Sequence, residues 1–166
     1  MQRLVDLLVR VGRVATGFAF AVLMGAVLVQ VLGRSVFGSS PVWTEELTRY
    51  ALLYLAACGA GLAFRSGDMV NVDMISESLP GRGRWRMRLI AALVTAGFCA
   101  VLLVPAWKYV SIGVRQTSPA LGWRMDHVHL SVFVLLAGLM LFALIRVWEM
   151  VSGLSDGLPQ GREDEA

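Results

Sequence analysis

The stretch SSPVWTEELTRYALLYLAACGAG, Ser39 to Gly61, passes from a serine-proline pair through two adjacent carboxylates and an arginine straight into an uncharged segment. Ser40 followed by Pro41 is a helix-start signal, with serine as the cap and proline at the first helical position. Glu45 and Glu46 near that start complement the positive end of the helix dipole. The uncharged run, Tyr50 to Phe64, covers only ~22 Å as a helix, against a hydrocarbon core of ~30 Å. A helix that crosses a bilayer here must therefore draw Arg49, Glu46 and Glu45 toward the membrane surface. Glu45 and Arg49 stand four apart with the acid first, the order in which a pair on one helix face is expected. Further on, Ala56 and Ala60, Ala57 and Gly61, and Gly59 and Ala63 are small residues four apart, the spacing that lets membrane helices approach closely.

The rest of the chain supports a membrane reading. Of its 166 residues 57% are hydrophobic and only 16% charged, and the mean hydropathy is +0.66, outside the range of a soluble domain. Apolar stretches at Val14–Gly33, Leu89–Trp107 and Leu130–Ile145 join the one after Tyr50. The expected architecture is an all-α integral membrane protein with four transmembrane helices, spanning about 14–33, 42–64, 89–107 and 128–146 in a single domain of residues 1–153. Residues 154–166 read as a solvated tail. Gly17, Ala21 and Gly25 repeat the small-residue spacing in the first span. Ala19-Phe20-Ala21 follows too short an apolar run for a cleavage site, so an uncleaved anchor is expected.

Ten lysines and arginines fall at the two ends and in the second loop (Arg3, Arg10, Arg13, Arg65, Arg82, Arg84, Arg86, Arg88, Arg146, Arg162), and five in the first and third loops (Arg34, Arg49, Lys108, Arg115, Arg124). Positive charge collects on the cytoplasmic side, so both termini are expected there. In the second loop MVNVDMISESLP, Met69–Pro80, places Val72, Ile75 and Leu79 opposite Asp73, Ser76 and Glu77, a short amphipathic helix expected at the interface. Trp85 among arginines reads as an interfacial anchor.

The inventory of reactive groups argues against catalysis. His127 and His129 sit together on one segment, whereas a bis-histidine haem needs ligands on facing helices. No Cys/His metal spacing, phosphate loop or nucleophile-base pair is present, and Cys58 and Cys99 read as small hydrophobes. No catalytic, cofactor-binding or metal residue is expected, and no basic stripe interleaved with aromatics suggests nucleic acid. A binding or scaffolding role in the bilayer remains, with a stand-alone four-helix assembly protein or the membrane anchor of an oxidoreductase as alternatives.

The stretch GRSVFGSSPVWTEELTRYALLYLAACGAGLAFRSGDMVNVDMI, Gly33 to Ile75, resembles the signature of the small membrane subunit (DctQ-like) of tripartite ATP-independent periplasmic (TRAP) transporters. The pattern is an Arg-x-x-Phe turn, Trp-x-Glu-Glu-Leu-x-Arg-Tyr, a Gly/Ala-rich span and a basic turn leading to Val-Asp. Arg34, Phe37, Trp43, Glu45, Glu46, Leu47, Arg49, Tyr50, Gly59, Gly67, Val72 and Asp73 match it. Met69 stands where a histidine is usual, Arg124 and Phe133 where prolines are usual, and His129 where an aromatic is usual. The resemblance implies a multi-pass protein of the bacterial inner membrane without cofactors. It would pack beside a large TRAP membrane subunit, help dock a periplasmic solute-binding protein, and serve sodium-driven uptake of an organic anion. Arg34, Trp43, Glu45, Glu46, Arg49, Tyr50, Gly59, Gly61 and Asp73 are the candidate interface or structural residues.

Overall fold

The structure is a computed structural model that describes residues 2–66 and 82–153. Among them are four helices, α1 (Gln2–Phe37), α2 (Val42–Ser66), α3 (Arg82–Gly113) and α4 (Met125–Val151), with no strand beyond an isolated antiparallel bridge between Thr117 and Arg124. Each helix is long and apolar enough to cross a membrane. Met69–Pro80, the segment expected to form the interfacial helix, and the tail lie outside the described residues.

The helices run well past the uncharged stretches. α1 begins among Arg3, Asp6, Arg10 and Arg13 and carries on through Arg34 and Phe37, so the expected Arg-x-x-Phe turn is instead the last turn of the helix. Charge limits how much of a helix sits in hydrocarbon, not where its backbone hydrogen bonds stop. The stop comes at Gly38, whose φ of 69° is the left-handed conformation that ends helices and that glycine adopts without strain. α2 then starts at Val42, one residue later than the sequence suggests. Its cap is the Pro41 carbonyl, which accepts the Thr44 N–H at 3.1 Å and the Thr44 hydroxyl at 2.6 Å. Pro105 lies inside α3, as membrane helices tolerate where neighbouring groups satisfy the backbone.

The chain divides into two compact units, Met1–Gly59 with Pro105–Leu135 and Ala60–Val104 with Leu136–Ala166. In the first, Ala19, Ala26, Tyr50, Ala51, Ala57, Ala106 and Val128 are buried together with Thr44, Ser118, His129 and Ser131. Gly59 lies against Thr16, a Cβ there standing 3.8 Å from the threonine methyl. In the second unit Ala92, Ala96, Cys99, Phe142, Ala143 and Met150 are buried, and Gly61 packs so tightly on Phe142 that a Cβ would come within 2.8 Å of the ring. Arg65 and Glu149 approach to 3.6 Å, and the Arg146 guanidinium sits 5.5 Å from the Phe64 ring centroid, a cation–π contact.

Large apolar side chains that would drive aggregation in water stand outward, among them Phe18, Leu28, Phe98 and Val101. In hydrocarbon they cost nothing. With four membrane-length helices, this makes the chain a multi-pass membrane protein.

Candidate functional site: the start of α2 and the loop before α4

Two adjacent carboxylates open α2, and the helix sends them in different directions. Glu45 is exposed, as are Arg49 and Arg34, while Trp43 is 40% exposed. Among the described residues no ion pair joins Glu45 to Arg49, in contrast to the expected pairing: both side chains are exposed, and at an exposed position an ion pair gains little over hydration.

Glu46, one residue on, is half-buried and turns toward the loop between α3 and α4. Its Oε1 accepts the backbone N–H of Ala120 at 3.1 Å, and its Oε2 accepts that of Leu121 at 3.0 Å and the Ser118 hydroxyl. Ser118 Oγ also accepts the Leu121 N–H at 3.2 Å. Consecutive N–H groups converging on one carboxylate form an anion-binding concavity of the kind loops build from successive main-chain donors. Charge-assisted hydrogen bonds of this type are the strong ones.

That concavity belongs to a small hairpin. Met125 N–H donates to Gln116 O at 2.9 Å, Ser118 N–H to Trp123 O at 2.8 Å, and Gly122 N–H to Ser118 O at 3.0 Å, with Gly122 at a φ of 66° closing the turn. The hairpin leaves Trp123 53% exposed. Arg124 donates to Asp126 Oδ2 at 2.7 Å in the first turn of α4.

The start of α4 is fixed from two further sides. The Tyr54 hydroxyl donates to the His127 carbonyl, and the Tyr50 hydroxyl lies 3.6 Å from the Met125 sulfur. His129 is buried, stacked on Tyr109 with ring centroids 3.9 Å apart, and its Nδ1 donates to the Tyr109 carbonyl at 3.1 Å. A flat ring at position 129 therefore does what an aromatic would do, with a hydrogen bond added. Gly113, at the end of α3, meets this corner backbone to backbone: a Cβ on it would stand 2.6 Å from His129 Nδ1 and 2.7 Å from Asp126 N.

Of the candidate residues, Glu46, Tyr50 and Gly59 thus make contacts within the first unit, and Gly61 packs within the second. Arg34, Trp43, Glu45 and Arg49 face outward, and Asp73 lies outside the described residues. Gly113 was not singled out by the sequence, and His129 stood out there only as a departure from the family pattern and as an unsuitable haem ligand. Among the described residues no cluster of three or more His, Cys, Asp or Glu is placed to hold a metal ion. What the geometry provides is a fixed polar loop beside an open charged helix start.

Residues 23–153 match the family described as tripartite ATP-independent periplasmic transporters, DctQ component. The chain belongs to that family. It is 31% identical over 85 residues to the sialic acid TRAP transporter small permease protein SiaQ of Vibrio cholerae, covering 49% of each chain. It is 27% identical over 104 residues to the ectoine TRAP transporter small permease protein TeaB of Halomonas elongata, covering 61% of this chain and 54% of that one. The chain thus spans about half the length of these two small permease proteins. A third match, 26% identical over 104 residues and 63% of this chain, takes in only 16% of the sialic acid TRAP transporter permease protein SiaT of Haemophilus influenzae. In that protein a DctQ-like segment is one part of a much longer permease chain. The protein is accordingly a small TRAP permease subunit, a membrane component of a transporter and not an enzyme.

Proposed function

We propose that the protein packs beside a large TRAP membrane subunit in the bacterial inner membrane, with both termini cytoplasmic, and helps dock a periplasmic solute-binding protein. The complex would import an organic carboxylate on an ion gradient, with sodium as the coupling ion. The observation that carries this reading is the outward set Arg34, Glu45 and Arg49 at the junction of two membrane-length helices. Charges beside hydrocarbon are costly unless they meet water or a partner. An exposed face of α1 adds support, since nothing lies within 4 Å of a Cβ on Gly17 or Gly25, an open small-residue strip of the kind helices pack against. The fused arrangement in SiaT supports a large permease as the partner. Sialic acid and ectoine, named for the relatives, both carry a carboxylate.

Co-expression with the large subunit and the binding protein in vesicles tests this. Isolation of a two-subunit complex and ion-gradient-dependent uptake are expected, and a small subunit that purifies alone while uptake proceeds without it would overturn the reading. For topology, the ten-to-five charge asymmetry leads us to expect that a cysteine at Gly83 is shielded from an impermeant reagent in intact cells while one at Ser39 reacts.

A further inference from the structure

Glu46 is a charged residue at the start of a membrane helix whose hydrogen-bond donors, among the described residues, lie in its own chain more than seventy positions away. We propose that Glu46 is a positioning residue: its carboxylate fixes the loop Gln116–Arg124 in the shape that turns Trp123 outward beside the exposed Arg115 at its base, and this fixed face is what the solute-binding protein meets. The inference rests on the docking role proposed above and adds the residues that perform it.

Three observations carry it. First, both oxygens of Glu46 are used as acceptors, Oε1 by Ala120 N–H and Oε2 by Leu121 N–H and the Ser118 hydroxyl. Only a carboxylate offers two acceptor ends, since an amide of the same shape would turn an NH2 group against N–H donors. Second, the loop is tied at its ends by the Gln116 N–H on Gly113 O at 3.0 Å and by Arg124 on Asp126, while among the described residues the polar contacts that reach its middle, residues 118–121, from outside the loop come from Glu46. A nine-residue loop tethered at its two ends is ordered in its middle chiefly by that carboxylate. Third, the loop presents a half-exposed indole next to an exposed Arg115 at its base, while Arg124 is already engaged with Asp126. Tryptophan and arginine are the residue types that dominate protein interfaces. A basic, aromatic face set on a rigid turn suits an acidic surface on a folded protein. An anionic lipid headgroup would need only the charge.

The test places a nitroxide at Thr117→Cys, an exposed position in the hairpin, with Cys58 and Cys99 replaced by alanine. The two membrane subunits are held together in nanodiscs, and binding of the purified solute-binding protein is measured on the same samples. Glu46→Gln is expected to sharpen the nitroxide spectrum and to weaken docking by about tenfold, the loss that follows when one interfacial anchor is no longer presented. Ser118→Ala, which removes one of the three donors, is expected to do less of both. Trp123→Ala is expected to weaken docking with the spectrum unchanged, and Glu45→Gln to leave the spectrum as in wild type.

A wild-type spectrum in both Glu46→Gln and Ser118→Ala would refute the anchor. A loosened loop with undiminished docking would refute its purpose, as would wild-type docking by Trp123→Ala. Docking that depends on anionic lipid in the nanodisc instead of on Trp123 would assign the face to the membrane and overturn the protein contact. If the wild-type complex binds no solute-binding protein at all, the docking reading itself fails, while the nitroxide still reports on the anchor.

Discussion

The two compact units hold themselves together by different chemistry. Around the loop before α4, the first unit relies on directed polar contacts: a carboxylate on three donors, a tyrosine hydroxyl on a main-chain carbonyl, a histidine stacked and hydrogen-bonded to one residue. In the second, close approach of small residues and rings, as at Gly61 on Phe142 with Ala92 and Ala143 almost wholly buried, fills the interior, and the charged contacts, Arg65 with Glu149 and Arg146 over Phe64, involve side chains near its helix ends. Hydrocarbon gives apolar side chains no reason to prefer one another over lipid, so packing inside it must come from shape. Where a segment leaves the helices, its main chain must be satisfied by specific partners. The difference makes separate predictions for the two units, and substitutions can test whether shape or hydrogen bonding governs each.

The largest effect is expected at Gly113, where the two kinds of constraint meet. A methyl there would run into the backbone of Asp126 at 2.7 and 2.8 Å as well as into His129, and a main chain cannot swing aside as a side chain can. Gly113→Ala should therefore destabilise by about 3 kcal/mol, read as loss of the monodisperse peak in detergent or a drop in melting temperature. Gly61→Ala should cost less, about 1 to 2 kcal/mol, since the Phe142 ring can yield by a few tenths of an ångström. Gly25→Ala meets open space and should not destabilise the isolated subunit at all. Gly25→Leu, equally harmless alone, is expected to reduce recovery of the large subunit in a pull-down. Equal stability of the Gly113 and Gly25 variants would mean that steric fit does not govern this protein.

Much of the helical layout was legible because it is local. The acidic start of α2 and the length of each apolar run are written in neighbouring residues. The helix ends were less so, since α1 continues through Arg34 and Phe37 on hydrogen bonds that hydropathy does not report. The partners of Glu46 could not be read at all. Ser118, Ala120 and Leu121 sit 72 to 75 positions away, and two of the three contribute only main-chain N–H groups, which every residue but proline possesses. Gly113 is opaque for the same reason, because its need for glycine arises from the backbone at Asp126 and leaves no mark near position 113. The sequence marked the charges at the start of α2 as candidates, and the structure turns Glu46 onto the loop while leaving Glu45 and Arg49 exposed.

That division sets the smallest and most discriminating prediction. Glu45 and Arg49 are exposed and, among the described residues, unpaired with each other. In the subunit alone, replacing an exposed charge should change stability by only ~0 to 1 kcal/mol, so Arg49→Ala and Glu45→Gln should melt as wild type does. Within the transporter the outcome depends on what covers them. If the large subunit lies against Arg49, its removal leaves a partner group unpaired and desolvated, so Arg49→Ala should weaken recovery of the large subunit although the isolated chain is unaltered. Pull-down and melting should be measured on the same preparations, with Glu163→Ala in the tail as a reference for a charge change remote from this helix start. Wild-type recovery of the large subunit by both Arg49→Ala and Glu45→Gln would leave these charges as a hydrated helix start, with Glu46 the only one of the three whose placement carries a function.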